Sequence, residues 1–286
     1  MKYANLTLIL LMFFSCLLKG QDSMSYFLQD AKKKYDNEEY VASMTAYKKA
    51  VEIDENNYEA MMGYADSQHK LDLFKQAVAS YDKAEIIKND DPTLYFNRGA
   101  AKVFLEDYRK AIKDFDKAIS LKADFAEVFY YRGYSNASLD RYRSAIKDYD
   151  QAIAIKPNYA EAIYNRGAAK AELGNYEDGM EDFEKALEED SNLKNGKMNL
   201  ALSHLGMKKY DEAVKMLTNI IRSRDDNLAR AYFYRGEAEF ELKAKDKACS
   251  DWDRAANLGH EQAKKNASTF CEQGSNKKKR NIEIIF

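Results

Sequence analysis

Small and bulky apolar residues alternate with charged ones along most of this chain, and the alternation returns every 34 residues from about Met24 to Gln262. Counted from Met24, the eighth position of successive units is always small: Ala31, Ala65, Gly99, Gly133, Gly167, Ala201 and Gly236. Such residues let two backbones approach where a side chain would hold them apart. The twentieth position is small again, in Ser43, Ala77, Ala111, Ala145, Gly179, Ala213 and Ala248. Four residues later comes a bulky side chain (Tyr47, Tyr81, Phe115, Tyr149, Phe183, Leu217, Trp252), and three beyond it Ala50, Ala84, Ala118, Ala152, Ala186, Ile220 and Ala255. Offsets of three and four mark one face of a helix. Each unit is therefore predicted to hold a first helix, a turn at its fifteenth and sixteenth positions (Glu106-Asp107, Gly174-Asn175) and a second helix. Seven units fit, with one extra residue near Leu228.

Neither helix can bury its stripe alone, so the units must stack. The repeat resembles the tetratricopeptide repeat over about 240 of the 286 residues. That resemblance implies an all-α, right-handed superhelical solenoid of about seven helix-turn-helix repeats, closed by a C-terminal capping helix. Two departures matter. The proline usual near the end of a unit survives only as Pro157, and the sixth unit carries Leu217 and Ile220 where the others have an aromatic ring and alanine. With the extra residue, these changes mark the stretch from Asp225 to Leu228 as the expected bend or weak seam.

Two polar positions vary together. The seventh is Arg98, Arg132, Arg166 and Arg235 in four units, and the twenty-third is Asp114, Asp148, Asp182 and Asp251 in the same four. The other units have neither the arginine nor the aspartate at these places. Repeats within one chain serve as their own comparison set, so partly buried Arg–Asp ion pairs are expected, fixing register more than adding stability. The alternative is a row of arginines gripping an anionic ligand.

In the family these repeats resemble, first helices line the concave face. The fifth, sixth and ninth positions there supply Phe96, Asn97, Tyr130, Tyr131, Tyr134, Tyr164, Asn165, Asn199, Phe233 and Tyr234. Aromatic side chains give contact area with a polar tip, and asparagines pair with peptide backbone, so this groove suits a peptide or protein segment. Some of these rings are expected simply to pack between neighbouring first helices. The basic clamp for a terminal carboxylate known in the family is not supplied by Leu28, Met62 and Ala100.

The ends add a location. Lys2, an apolar run from Leu6 to Leu18 and then Lys19-Gly20 read as a signal peptide over residues 1–20, too short for a confident membrane span. Residues 21–273 form the repeat region and 274–286 a basic and apolar tail. Phe13-Phe14-Ser15 fits a lipidation box at Cys16 poorly. Export to a periplasm or cell envelope would leave Cys249 and Cys271 either as a disulfide or as two buried thiols. A bond would pin a capping helix bearing Ala263, Ala267, Phe270 and Cys271, contributing about 3 kcal/mol. The tail, with Lys277-Lys278-Lys279-Arg280 and then Ile282, Ile284, Ile285 and Phe286, reads as disordered, or as a contact for anionic lipid or an acidic partner.

A net charge of −2 argues against nucleic acid, and 45% hydrophobic residues suffice for a continuous core. With two prolines and no flexible linker, one domain is expected. His69, His204 and His260 share no spacing, and no phosphate loop appears. The expected protein is thus a non-enzymatic exported scaffold without cofactor, metal or small-molecule substrate, holding a protein partner in its groove. The alternative is a subunit of a cell-envelope or secretion assembly that works through convex or terminal surfaces.

Overall fold

The structure, a computed structural model, describes residues 23–271 other than 194 and 224–226. The expected leader with its cleavage point and Cys16, and the tail at 274–286, lie outside the described residues. Contacts divide the chain after Pro157 into two compact units, Met1–Pro157 and Asn158–Phe286, where composition suggests a single domain. The first unit contains α1 (23–36), α2 (Tyr40–Ile53), α3 (Tyr58–Lys70), α4 (Phe74–Ile87), α5 (Pro92–Phe104), α6 (Tyr108–Leu121), α7 (Ala126–Ala137) and α8 (Tyr142–Ile155). The second contains α9 (Ala160–Glu172), α10 (Tyr176–Glu189), α11 (Gly196–Gly206), α12 (Tyr210–Arg222), α13 (Leu228–Glu241), α14 (Lys245–Asn257) and α15 (Glu261–Asn266), followed by a π-helical turn, Ala267–Cys271. The described residues contain no strand.

Pairs form because the eighth position of the first helix meets the ring of the second. A Cβ on Gly99 would sit 2.6 Å from the Phe115 ring, and one on Gly236 2.8 Å from the Trp252 indole. The partner stripe is sealed completely: Ala111, Phe115, Ala118 and Tyr81 have no exposed surface, and Tyr149 and Trp252 have 1% each. Each ring buried this way contributes about 1.5–3 kcal/mol, which is why an aromatic at that place and a small residue opposite it recur together.

The turns are as regular as the helices. The fifteenth residue of every repeat adopts a left-handed backbone, from Glu38 (φ 63°), Asp72 (58°), Glu106 (58°) and Asp140 (57°) to Gly174 (83°), Lys208 (58°) and Lys243 (63°). The next N–H reaches back to the carbonyl five residues earlier, as in Asp107 to Lys102 at 2.9 Å and Ala244 to Glu239 at 2.8 Å. This closes the exposed carbonyl end of each first helix in a Schellman-type turn. Only Gly174 takes that conformation without a Cβ penalty.

Around the seam expected from Asp225 to Leu228, residues 224–226 lie outside the described residues. On either side of it, Leu217 and Ile220 of α12 share one core with Ala231 and Ala238 of α13. At the C-terminal end the cap begins at His260, whose Nδ1 accepts from the Ala263 N–H at 3.2 Å and starts α15. Ala263, Ala267 and Cys271 pack against Trp252 and Ala255. The π turn replaces the continuous α-helix expected there, and Cys271 is bonded to Cys249 with their Cα atoms 5.8 Å apart.

Two substitutions test the pairing and the turns. Gly99→Ala should cost about 1–3 kcal/mol, because buried Phe115 must move, and should lower the midpoint of urea unfolding. Glu106→Gly should be stabilising by up to about 1 kcal/mol through relief of the left-handed backbone, read in the same experiment.

Candidate functional site

The four arginines of the seventh position all meet the aspartate of their own second helix through two nitrogens. Arg98 donates to Asp114 from Nε at 3.1 Å and Nη2 at 2.8 Å. Arg132 does the same to Asp148 (3.1 and 2.5 Å), Arg166 to Asp182 (2.9 and 2.5 Å) and Arg235 to Asp251 (2.6 and 2.8 Å). The remaining Nη1 of Arg98, Arg132 and Arg235 reaches the second helix of the preceding pair: Arg98 to Asp82 at 2.8 Å and to Glu85, Arg132 to Asp116 at 2.7 Å, Arg235 to the Thr218 hydroxyl at 3.0 Å. Each of these three guanidinium groups therefore ties three helices together. A ring at the fourth position flanks the same three, with Arg98 5.4 Å from the Tyr95 centroid, Arg132 5.5 Å from Phe129 and Arg235 5.6 Å from Tyr232.

Burial opposes the charge of Arg98, yet its hydrogen bonds to Asp114 and Glu85 outweigh burial and hold its pKa above the ordinary arginine value. All three of its nitrogens are engaged, so its charge is already spent on carboxylates of the fold rather than on an anionic ligand.

A third position completes the latch, and reading the seventh and twenty-third alone misses it. The eleventh residue donates to the same carboxylate: Lys102 to Asp114 at 2.6 Å, Asn136 to Asp148 at 2.9 Å, Lys170 to Asp182 at 2.8 Å. The signal lies in the sequence, since these are donor side chains in three of the four arginine-bearing repeats. The fourth breaks the rule with Glu239, buried to 8% exposure, whose Oε2 has no hydrogen-bond partner. Burial, then the neighbouring Asp251 carboxylate, push Glu239 above the usual carboxyl range, while Arg235 and Lys247 pull the other way.

The inner face is built on the first helices. Successive ones touch, α3 with α5 and α5 with α7 in the first unit, α11 with α9 and with α13 in the second, and no comparable contact joins successive second helices among the described residues. In the first unit Phe96 packs 4.9 Å from Phe125 and 5.6 Å from Tyr131, while Tyr130 leans on Tyr131 at 5.2 Å. Tyr134 is 40% exposed. Asn97 donates to Asp66 at 2.9 Å. In the second unit Asn199 donates to the Tyr164 hydroxyl at 2.8 Å, and Asn165 and Tyr234 are half-buried. Phe233 departs from the expected groove lining: it is only 9% exposed and stacks 4.2 Å from the His260 ring, so its face is taken by the start of the cap.

Two of the three histidines have local roles. His69 lies edge-on to Phe74 and Phe104, and His260 caps a helix. Among the described residues no three His, Cys, Asp or Glu side chains gather as a metal site would require, and no helix is long and apolar enough to cross a membrane.

One family model described as TPR repeat matches residues 136–174, and three described as Tetratricopeptide repeat match residues 92–125, 160–193 and 198–263. The chain is thus a protein of tetratricopeptide repeats, with the all-helical scaffold fold of that class. Among solved structures it is similar to a tetratricopeptide repeat protein from Parabacteroides merdae, 19% identical, with a TM-score of 0.63 over 86% of this chain and 98% of that one. It is also similar to YrrB, a TPR protein with an unusual peptide-binding site (23% identical, TM-score 0.56, 63% of this chain and 93% of that one). PilW, a widely conserved type IV pilus biogenesis factor, is 17% identical with a TM-score of 0.61, over 70% of this chain and 92% of PilW. No curated protein matches the sequence.

The latch generates two expectations. Asp182→Ala strips Arg166 and Lys170 of their shared acceptor and should cost about 3–5 kcal/mol in chemical denaturation. Glu239→Gln should act in the opposite direction. A carboxyl whose folded pKa is raised carries no penalty below its unfolded value of about 4.3 and a growing one as pH rises through it. The glutamine variant should therefore be more stable than the parent at pH 7 and gain nothing at about pH 4, as thermal melts at the two pH values will read.

Proposed function

We propose that this protein is an exported, non-enzymatic scaffold that holds a peptide or protein segment on the inner faces of its helical units. The carrying observation is the row of half-buried aromatic and amide side chains at the fifth and sixth positions. Asn97, Asn199, Phe96 and Tyr131 are held by neighbouring first helices rather than left loose. Side chains ordered before a partner arrives lose less entropy on binding, and tyrosine and asparagine suit a backbone of varied sequence. The peptide-binding site named for YrrB supports the same use of the fold. Export rests on the apolar leader sequence, and an envelope setting agrees with the likeness to PilW.

A second reading, a subunit docking through its outer surface, is favoured by one observation. Ile86 is 87% exposed beside Ile53 at 41%, over a cleft lined by Val51, Met61 and Ile87.

Crosslinking in the native host separates the two. Tyr134→Ser with Asn165→Ala is expected to lose the dominant crosslinked partner while Ile86→Lys keeps it. Loss only in Ile86→Lys would move the function to the outer surface.

A further inference from the structure

Asp66, at the ninth position of its repeat, sits on α3 among first-helix residues of the inner face. Its Oδ1 accepts from the Tyr81 hydroxyl at 2.6 Å and from the Asn97 amide at 2.9 Å, so both lone pairs of that oxygen are used. Neither bond reaches Oδ2, which carries no hydrogen bond, and the residue as a whole is half-buried rather than sealed. No lysine or arginine of the described residues forms an ion pair with it. In this it differs from Asp114, Asp148 and Asp182, each matched by an arginine.

The two internal bonds need only an acceptor oxygen, which a neutral amide would provide. The negative charge is surplus to them and is opposed by its surroundings: burial pushes the Asp66 carboxyl up, against the pull of its two hydrogen bonds and of Lys70. Tyrosines share this environment: burial first, with the Asp66 charge contributing, pushes the Tyr35 and Tyr47 phenols to about 12. A carboxylate without an ion-pair partner among aromatic rings favours a cation. Its shape selects which kind. A guanidinium fork wants both carboxylate oxygens, whereas one open oxygen suits a compact ammonium.

We propose that Asp66 is an ammonium-binding position, where Oδ2 receives a lysine side chain or the amino terminus of a segment bound on the first unit's inner face. This rests on the peptide-binding reading above, and the test is arranged so that the two can fail separately. The full chain is titrated by fluorescence polarisation with random-sequence peptide pools carrying one fixed lysine, arginine, glutamate or norleucine, each with a free or an acetylated amino terminus. Asp66→Asn is measured alongside, because its Oδ1 still accepts from Tyr81 and Asn97 and only the charge is lost; a thermal melt checks that it folds.

The lysine pool, or the pools with a free amino terminus, should bind at least about tenfold tighter than acetylated norleucine, and Asp66→Asn should abolish that preference while keeping residual binding. Lysine dependence assigns the side chain, and dependence on the free terminus assigns the terminus. Equal binding of all pools, or a preference for arginine, overturns the assignment of Asp66 and leaves the inner face as a peptide site. Binding of no pool overturns the peptide-binding reading and this inference with it.

Discussion

The close approach of two backbones across a small residue and an aromatic ring is the constraint on which the rest of this molecule depends. With Gly99 against Phe115 and Gly236 against Trp252, the paired helices lie so near that no Cβ fits between them. Short turns must then return the chain within three or four residues, and the left-handed fifteenth position does this even where the residue is Glu, Asp or Lys. That non-glycine residues accept the strain at six of seven turns shows packing overriding local backbone preference.

Such proximity also brings the seventh and twenty-third positions within reach, and a buried guanidinium there must be matched on all its nitrogens. At Arg98 the latch uses a forked pair to the helix of its own repeat and a third bond to the preceding one. Since desolvation offsets much of the attraction, the gain lies in register: a slip of one residue leaves several charges buried and unpaired. Such an arginine specifies both the partner within the pair and the neighbour behind it. The sixth repeat, with Leu200 and Met216 at these positions, relies on apolar packing instead.

The helix pairing, the place of the turns and the Arg–Asp part of the latch were legible because repetition supplies internal comparison: an arginine and an aspartate that are present together in some repeats and absent together from the rest betray a contact. What repetition cannot show is how a residue used once behaves. Phe233 occupies a groove position yet is covered by His260, the residue that starts the cap, and it is the local stacking of these two rings that the repeat pattern does not show. The π turn at Ala267–Cys271 has no counterpart elsewhere among the described residues, and its sequence reads equally well as α-helix. Asp66 escapes a reading by repeats for a similar reason, since its partners Tyr81 and Asn97 come from different repeats and the ninth position varies from unit to unit.

Function on such a scaffold falls to the polar groups that packing does not need. The aspartates of the latch are ruled out, for each is closed by an arginine and, in three repeats, by a further donor. Two asparagines of the inner face are only half committed: Asn97 and Asn199 each spend an amide N–H on a neighbour, which orders the side chain and leaves its carbonyl oxygen without a bond of its own. An acceptor held in place by the fold meets a peptide N–H at little entropic cost. On the proposed peptide-binding role, order in these side chains, more than their number, is what would let a stack of helices discriminate.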